Sequence, residues 1–215
     1  MRVIVIGAGG HGQVVADALL ASCQSCPDLR VLGYADDDEH LWGQTLGGLP
    51  VLGCIAAALD TPHDAVIVAI GDNRVRYRVM SALLAQGECF VSVVHPAATV
   101  SPGASIGFGA MVLAGAVVNT GARLGAGVIV NTSASVDHHN RLEDWVHLAP
   151  GAHTGGEVTI GRGALVGLGA SIAPRCTIGC WATVGAGATV IHDVPAGTTV
   201  VGTPARVIKQ IEVLP

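Results

Sequence analysis

Large apolar side chains recur every six residues over the second half of the chain. Of the 17 positions counted in sixes from Val94 to Val190, 16 hold Val, Ile or Leu, and only Thr154 is polar. The positions four residues further on hold Ala, Cys or Val, with Asn140 as the single exception. A period of six fits neither an α-helix nor a plain strand. It is typical of a solenoid with one short strand and one turn per hexapeptide, so the pattern predicts a parallel β-helix.

The first 93 residues show a different rhythm, in which apolar runs alternate with amphipathic segments. The runs predict strands over residues 2–6, 30–35, 64–70 and 90–94, and the amphipathic segments predict helices over 13–22 and 74–86. This order favours a small parallel, Rossmann-like sheet with flanking helices. We therefore expect an α/β domain over residues 1–93 and a solenoid domain over 94–215, with no clear pattern in the tail from Val207.

Composition agrees with a thin prism filled by Val, Ile and Ala. Half of the 215 residues are apolar, only 3% are aromatic and 30 are Gly. The formal net charge of −5 gives no reason to expect nucleic acid or an anionic membrane as a partner. The first apolar run is too short to span a membrane and shows no signal-peptide pattern, so we expect a cytoplasmic protein with reduced thiols. The lone C-x-x-C pair, Cys23 and Cys26, is interpreted as ordinary side chains rather than a zinc site.

A Gly-rich turn follows the first strand. The spacing Gly7-x-Gly9-x-x-Gly12, followed by Asp36 at the end of the next strand, fits a turn that holds a pyrophosphate at a helix N-terminus. A nucleotide sugar, an NAD cofactor and a purely structural turn all fit it, although about 95 residues is short for a full dinucleotide fold. We favour a nucleotide sugar. The predicted contacts are Gly9, Gly10, His11, Gly12, Asp36, Asp37, Gly71 and Asn73.

Four of the nine His lie close together, at positions 138, 139, 147 and 153. Three hexapeptides make one coil of 18 residues, so residues 18 apart should stack at roughly 4.8 Å. By this spacing His138 lies at a corner, one coil from Gly156. A corner His beside an unobstructed Gly N–H suits acyl transfer, with the imidazole as general base and the N–H as oxyanion donor. Solvated corner His residues and a catalytic zinc site are the alternatives.

Both exceptions to the hexapeptide pattern lie in the same neighbourhood. Asn140 follows His138 closely, and Thr154 stacks over the inward Val136 of the previous coil. Local failure of an otherwise regular pattern is expected at functional sites. The pattern thus indicates where along the solenoid to look for a site.

The chain resembles the bacterial sugar O-/N-acyltransferases of the sialic-acid O-acetyltransferase type, within the hexapeptide-repeat superfamily. This group includes the N-acetyltransferases of UDP- or GDP-linked 4-amino-4,6-dideoxy sugars in the bacillosamine and perosamine pathways. The resemblance covers nearly the whole chain. Its marks are residues 5–12 (VIGAGGHG), 33–37 (GYADD), 69–74 (AIGDNR), 131–134 (NTSA), 137–138 (DH), 145–152 (WVHLAPGA) and 201–205 (VGTPA). It implies a left-handed β-helix, a homotrimer and acetyl-CoA as co-substrate.

Residue roles follow from the same resemblance. It implies that His138 is the catalytic base, that His147 and Asn131 contact substrate, and that the Gly156 N–H meets the acetyl carbonyl. Where the family usually has an acid directly after the base, this chain has His139, which we place with the substrate-contacting residues. Coenzyme A is expected along the later coils, between two subunits. Its predicted contacts are Gly156, Ala173, Pro174, Gly202, Thr203, Pro204, Arg206 and Lys209.

The resemblance therefore predicts a trimeric acetyl-CoA-dependent N-acetyltransferase acting on a nucleotide-linked 4-amino sugar. The amine of the sugar is expected to attack the thioester of acetyl-CoA directly, and the sugar is expected to reach the solenoid corner of a neighbouring subunit. An O-acetyltransferase acting on a sugar hydroxyl, as with sialic acid, is the main alternative. The missing acid after His138 favours N-transfer, because an amine needs less help from a base than a hydroxyl. An NAD-dependent enzyme and a non-enzymatic nucleotide-sugar-binding module are less favoured. The sequence does not fix the base as uracil or guanine, the sugar, or the acyl group beyond acetyl.

Overall fold

The computed structural model describes residues 1–23 and 27–210 of the chain. The chain folds into two compact units, of which the first ends at Pro96 and the second begins at Ala97. Cys26, the second residue of the C-x-x-C pair, lies outside the described residues. No helix within the two described ranges is long and apolar enough to cross a membrane.

The first unit is an α/β domain around a small parallel sheet, as predicted. Strands β1 (Arg2–Ile6), β2 (Arg30–Ala35) and β5 (Ala65–Val68) pair in parallel in the order β2-β1-β5. Strands β3 (Thr45–Leu46) and β4 (Leu49–Pro50) form a hairpin. Because β1 is the central strand, its residues from Val3 to Ile6 are fully buried. The elements are β1 (Arg2–Ile6), α1 (Gly10–Cys23), β2 (Arg30–Ala35), a 3-10 helix (Glu39–Leu41), β3 (Thr45–Leu46), β4 (Leu49–Pro50), α2 (Ile55–Leu59), β5 (Ala65–Val68), α3 (Asn73–Ala85) and β6 (Val93–Val94).

Helix α1 begins at Gly10, three residues before its predicted start at residue 13. The predicted boundary was wrong because Gly has a low helix propensity, whereas packing here requires it. A Cβ on Gly12 would lie 2.0 Å from the Gly7 carbonyl oxygen, so only Gly lets the first turn pack this closely against the loop. Strands β5 and β6 are shorter than predicted, and α3 begins one residue early, where the Asp72 side chain accepts hydrogen bonds from the Arg74 and Val75 N–H groups.

The second unit is a parallel β-helix of two-residue strands that repeat every six residues. Each strand pairs in parallel with the strand three further along, so that Val117 lies beside Ser135 and residues 18 apart stack as predicted. The strands are β7 (Thr99–Val100), β8 (Ser105–Ile106), β9 (Met111–Val112), β10 (Val117–Val118), β11 (Arg123–Leu124), β12 (Ile129–Val130), β13 (Ser135–Val136), β14 (Arg141–Leu142), β15 (His147–Leu148), β16 (His153–Thr154), β17 (Thr159–Ile160), β18 (Leu165–Val166), β19 (Ser171–Ile172), β20 (Thr177–Ile178), β21 (Thr183–Val184) and β22 (Thr189–Val190).

These strands stack into three faces. The first face contains β7, β10, β13, β16, β19 and β22, and the second contains β8, β11, β14, β17 and β20. The third face contains β9, β12, β15, β18 and β21, and it continues into β23 (Thr198–Val201). A last strand, β24 (Arg206–Gln210), pairs antiparallel with β23. The sequence shows no pattern in this tail because all five residues of β24 are exposed, which leaves no alternation between buried and exposed positions.

The core of the solenoid consists of the inward residues of the hexapeptide pattern. From Val112 to Val190 every inward aliphatic side chain is at most 4% exposed. The first of the 17 predicted positions is different, since Val94 is 37% exposed and belongs to the first unit. Val100 and Ile106 are only partly buried, because the first coil of the second unit has no coil of its own kind before it.

Candidate active site

A cavity of about 480 Å³ opens in the first unit where the carboxyl ends of its strands meet. Ligands of open parallel sheets bind at such an edge. Seven of the eight predicted nucleotide contacts line the cavity: Gly9, Gly10, His11, Gly12, Asp36, Asp37 and Gly71. Four apolar side chains that the sequence interpretation missed complete the wall: Ile55, Ile70, Val75 and Val79.

The glycines of the Gly-rich turn differ in whether the structure leaves room for a side chain. Gly12 is needed for packing, because its position leaves no room for a Cβ. Gly9 and Gly10 face open space, with no atom within 4 Å of a Cβ placed there. Their bare backbone at the start of α1 therefore leaves room for a ligand to approach the helix N-terminus.

The two acids at the end of β2 are held by backbone amides. The Asp36 carboxylate accepts hydrogen bonds from the Ala8 N–H at 2.7 Å and the Asp38 N–H at 3.0 Å. Asp37 accepts from the Ile55 N–H at 3.0 Å, at the first residue of α2. These bonds fix both carboxylates at the rim of the cavity.

Asn73 is buried behind the cavity wall, and the structure does not bring it to the lining. Its Oδ1 accepts from Nη2 of Arg76 at 2.8 Å, and Nη1 of Arg76 donates to the Ile70 carbonyl at 2.8 Å and the Gly71 carbonyl at 3.3 Å. Arg76 is fully buried, and burial lowers its pKa to about 9. The sequence interpretation missed this residue. The signal was its position on the buried face of α3, in helical spacing with Met80 and Leu83.

His11 lies in the first turn of α1, close to this buried cation. Burial and, to a lesser extent, the positive charge of Arg76 together lower the pKa of His11 to about 4. The imidazole is therefore neutral at physiological pH. It presents an uncharged ring to the cavity and adds no positive charge for an anionic ligand.

In the second unit, His138 and Gly156 stack one coil apart. The turns between the first and second faces, residues 137–140, 155–158 and 173–176, form one column, which we call the His138 column. A Cβ on Gly156 would lie 2.4 Å from both Cε1 and Nε2 of His138, so the imidazole lies directly against this Gly. Within the described part of the chain, the Gly156 N–H donates no hydrogen bond.

The partner of the His138 imidazole is His139. The two Nδ1 atoms lie 3.1 Å apart, and the rings meet edge to face with centroids 5.4 Å apart. Asp137 has a different partner: its Oδ1 accepts from the His138 backbone N–H at 2.7 Å and from Nδ2 of Asn119 at 2.9 Å. These two hydrogen bonds lower the pKa of Asp137. The Asp137 carboxylate therefore fixes the backbone of the corner, and the ring is left to His139.

Asn131 and His147 form a second pair on a different side of the solenoid. Nδ2 of Asn131 lies 3.1 Å from Nε2 of His147, which begins strand β15 of the third face. The His138 column joins the first and second faces, so it is the edge opposite the third face. Within one chain the structure therefore does not bring His147 to His138.

The predicted coenzyme A contacts also fall into two groups. Ala173 and Pro174 continue the His138 column one coil beyond Gly156, and Pro174 packs against Gly155. The other contacts, Gly202, Thr203, Pro204, Arg206 and Lys209, are exposed along the β23–β24 connection and on β24. Among residues 1–23 and 27–210, no group of three or more His, Cys, Asp or Glu is placed to hold a metal ion.

Comparison with known proteins identifies relatives of the whole chain. Residues 2–83 match the family described as the PglD N-terminal domain. The chain is 32% identical to GDP-perosamine N-acetyltransferase of Escherichia coli O157:H7, over 96% of each chain.

Two solved structures show the same likeness in three dimensions. The acetyltransferase domain of PglB from Neisseria gonorrhoeae FA1090, in complex with acetyl coenzyme A, is 40% identical, with a TM-score of 0.87 over 96% of this chain and 98% of that one. PerB from Caulobacter crescentus, in complex with CoA and GDP-perosamine, is 34% identical, with a TM-score of 0.88 over 97% of this chain and 98% of that one.

Proposed function

This chain belongs to the family of PglD-type nucleotide-sugar N-acetyltransferases, and from this premise we propose that it acetylates the 4-amino group of a GDP- or UDP-linked 4-amino-4,6-dideoxy sugar. Family membership assigns the reaction class: the protein is an acetyl-CoA-dependent N-acetyltransferase. This sets aside the O-acetyltransferase, the NAD-dependent enzyme and the binding module considered from the sequence. The residue roles that follow are our proposal.

The observation that carries the mechanism is the contact between His138 and Gly156. The sugar amine attacks the thioester carbonyl of acetyl-CoA, and Nε2 of His138 accepts the proton that the amine loses. The Gly156 N–H donates a hydrogen bond to the developing oxyanion. The carbon–sulfur bond then breaks, the amide forms, and the proton on His138 passes to the CoA thiolate. No acyl-enzyme is needed, because both substrates bind together and positioning supplies much of the rate.

His139 supplies the orientation that an acid gives in other members of the family. When Nδ1 of His138 carries the proton and donates to Nδ1 of His139, Nε2 of His138 is left as the base. His139 occupies the left-handed turn position of its coil, with φ at 58°, as Glu157 and Arg175 do in the next two coils. The contact between the two Nδ1 atoms, and not the turn conformation, therefore supports the orienting role of His139.

We propose that the cavity of the first unit holds the nucleotide. Its open backbone at Gly9 and Gly10 suits the diphosphate, and its apolar wall suits the base or ribose. Asp36 and Asp37 line the rim as hydrogen-bond acceptors for hydroxyl or base N–H groups. The cytoplasmic location expected from the sequence fits an enzyme whose substrates are both soluble nucleotide derivatives.

We further propose a homotrimer with coenzyme A between two subunits. The support is that His138 and His147 lie on opposite sides of one solenoid, so a shared site needs His147 of a neighbouring copy. Mixing His138→Ala with His147→Ala chains tests this arrangement, since each variant alone lacks one half of every site. Random mixed trimers should regain about a quarter of the wild-type activity. Activity that stays at the level of the separate variants would contradict a shared site.

The proposed reaction is tested with acetyl-CoA and a panel of UDP- and GDP-linked 4-amino-4,6-dideoxy sugars. We expect thiol release with one nucleotide series, and a product heavier than the sugar by one acetyl group. The same sugars with the 4-amino group replaced by a hydroxyl are the matched control. Release with the hydroxyl sugars alone would refute N-transfer, and no release with any sugar would refute the substrate class.

A further inference from the structure

The solenoid core contains one buried polar pair beside the His138 column, Asn140 and Thr154. Asn140 is 1% exposed and Thr154 is 5% exposed, and both occupy positions that the hexapeptide pattern gives to apolar residues. We propose that this pair is a positioning element, which sets the placement of the His138 imidazole relative to the Gly156 N–H. The inference rests on the proposed roles of His138 and Gly156.

Thr154 uses the full hydrogen-bonding capacity of its hydroxyl. Oγ1 donates to the Ser135 carbonyl at 3.2 Å, and it accepts from the Asp137 N–H at 3.2 Å and from Nδ2 of Asn140. On the same face, the Asn119 N–H donates to the Val136 carbonyl at 2.9 Å, as a regular ladder requires. At the next step the Asp137 N–H donates to a side chain instead. The residue before His138 is therefore held by Thr154 and not by the strand ladder.

Asn140 extends the connection to the other side of Gly156. Its Oδ1 accepts from the Val158 N–H at 2.7 Å. Ala152 has the equivalent place in the preceding turn, and its N–H donates to the Ala149 carbonyl, three residues earlier. The turn that contains Gly156 is thus tied to a side chain of the previous coil. Together the two side chains join residues 135 and 137 to residue 158, on either side of the contact between His138 and Gly156.

The fold itself does not require a polar pair at this place. Other coils have Ala122 or Val158 where this one has Asn140, and Val118 or Ile172 where it has Thr154. Replacing both partners of a satisfied buried hydrogen bond by apolar groups of similar shape is often close to neutral for stability. A role in placing the reactive corner explains why the polar pair occurs in this coil.

The test is the double variant Asn140→Ala/Thr154→Val, which restores the apolar residues of the hexapeptide pattern. We expect kcat to fall about 10-fold, because a shift of a fraction of an ångström separates the base from the oxyanion donor. The KM values for acetyl-CoA and the nucleotide sugar should stay within about twofold, because neither side chain is placed in contact with a substrate. The pH at which kcat declines should not move, because the pair bonds to the backbone and not to the imidazole.

Single variants separate positioning from packing. Thr154→Ser keeps the hydroxyl and should retain kcat within about twofold, whereas Thr154→Val keeps the shape and should lose about 10-fold. Thr198→Val is the matched control, since it removes another buried hydroxyl of the solenoid, whose Oγ1 donates to the Pro195 carbonyl at 2.8 Å. Thermal unfolding of each variant verifies that the measured chains are folded.

Two results would overturn the inference: a double variant with wild-type kcat, or a Thr154→Ser variant as impaired as Thr154→Val. The His138→Ala variant is measured in the same assay. If His138→Ala stays active, the proposed site is wrong. If it is inactive while Asn140→Ala/Thr154→Val is fully active, only the positioning role is refuted.

Discussion

Substituting Gly156 by Ala tests the proposed mechanism most directly. The backbone at Gly156 does not have a positive φ, so Ala fits its conformation and the only new group is one methyl. That methyl would lie 2.4 Å from Cε1 and Nε2 of His138 and 3.0 Å from Nδ1. Because ordinary contacts begin near 3.4 Å, the imidazole must move by about 1 Å.

A displacement of this size has a predictable kinetic effect. Misplacing a catalytic group by about 1 Å reduces the rate by about 100-fold, which corresponds to about 2.7 kcal/mol in the activation free energy. The backbone N–H of residue 156 is retained, and the exposed imidazole can swing into solvent. We therefore expect a large loss in kcat with little change in the unfolding temperature.

The measurement is thiol release at saturating nucleotide sugar, with acetyl-CoA varied to separate kcat from KM. The matched control repeats the substitution in a His138→Ala background, where the methyl has no imidazole to displace. There the second substitution should change kcat by less than about threefold, so that the two effects are strongly non-additive. A Gly156→Ala enzyme within threefold of wild type would refute the placement of the base against this Gly.

His138→Ala should reduce kcat by about 100-fold or more at saturating substrates, and an unchanged kcat would exclude it as the base. Gly12→Ala places a methyl 2.0 Å from the Gly7 carbonyl oxygen, so it should lower the unfolding temperature by several degrees, while Gly10→Ala, with open space around it, should not. The folded protein disfavours protonation of His11, whose pKa is about 4 against 6.5 in the unfolded chain. The free energy of unfolding of the protein should therefore fall by about 3 kcal/mol as the pH drops from 6.5 to 4. Urea unfolding of the His11→Gln variant should show a weaker dependence of this free energy on pH.

The solenoid could be predicted from the sequence because each hexapeptide repeats the same inward residues. A strict period reports which side chains face the core, and three periods per coil fix which residues stack. The spacing of 18 residues therefore assigns Gly156 to His138 from the sequence alone. The residues that line the cavity of the first unit could be grouped for a similar reason, since the carboxyl ends of parallel strands meet at one edge.

The features that the sequence did not reveal depend on contacts between distant parts of the chain. Arg76 is buried because carbonyl oxygens and the Asn73 amide surround its guanidinium, and the polarity of Arg gives no hint of this. The early start of α1 depends on packing against Gly7. The resemblance implies roles for both His138 and His147 without saying how they are placed, and the coil geometry puts them on opposite sides of one chain.

The spacing of 18 residues limits which insertions and deletions this solenoid can accept without changing which residues stack. Removing one hexapeptide between His138 and Gly156 would leave the core pattern intact, yet it would turn every later residue onto the next face. His138 would then stack on a different residue, and the chain would fold without the contact between His138 and Gly156. Removing or adding a whole coil beyond Val190 would leave the stacking of the earlier residues unchanged. The length of such enzymes is therefore expected to vary in whole coils at the ends, while the segment from Asn131 to Pro174 keeps a fixed length.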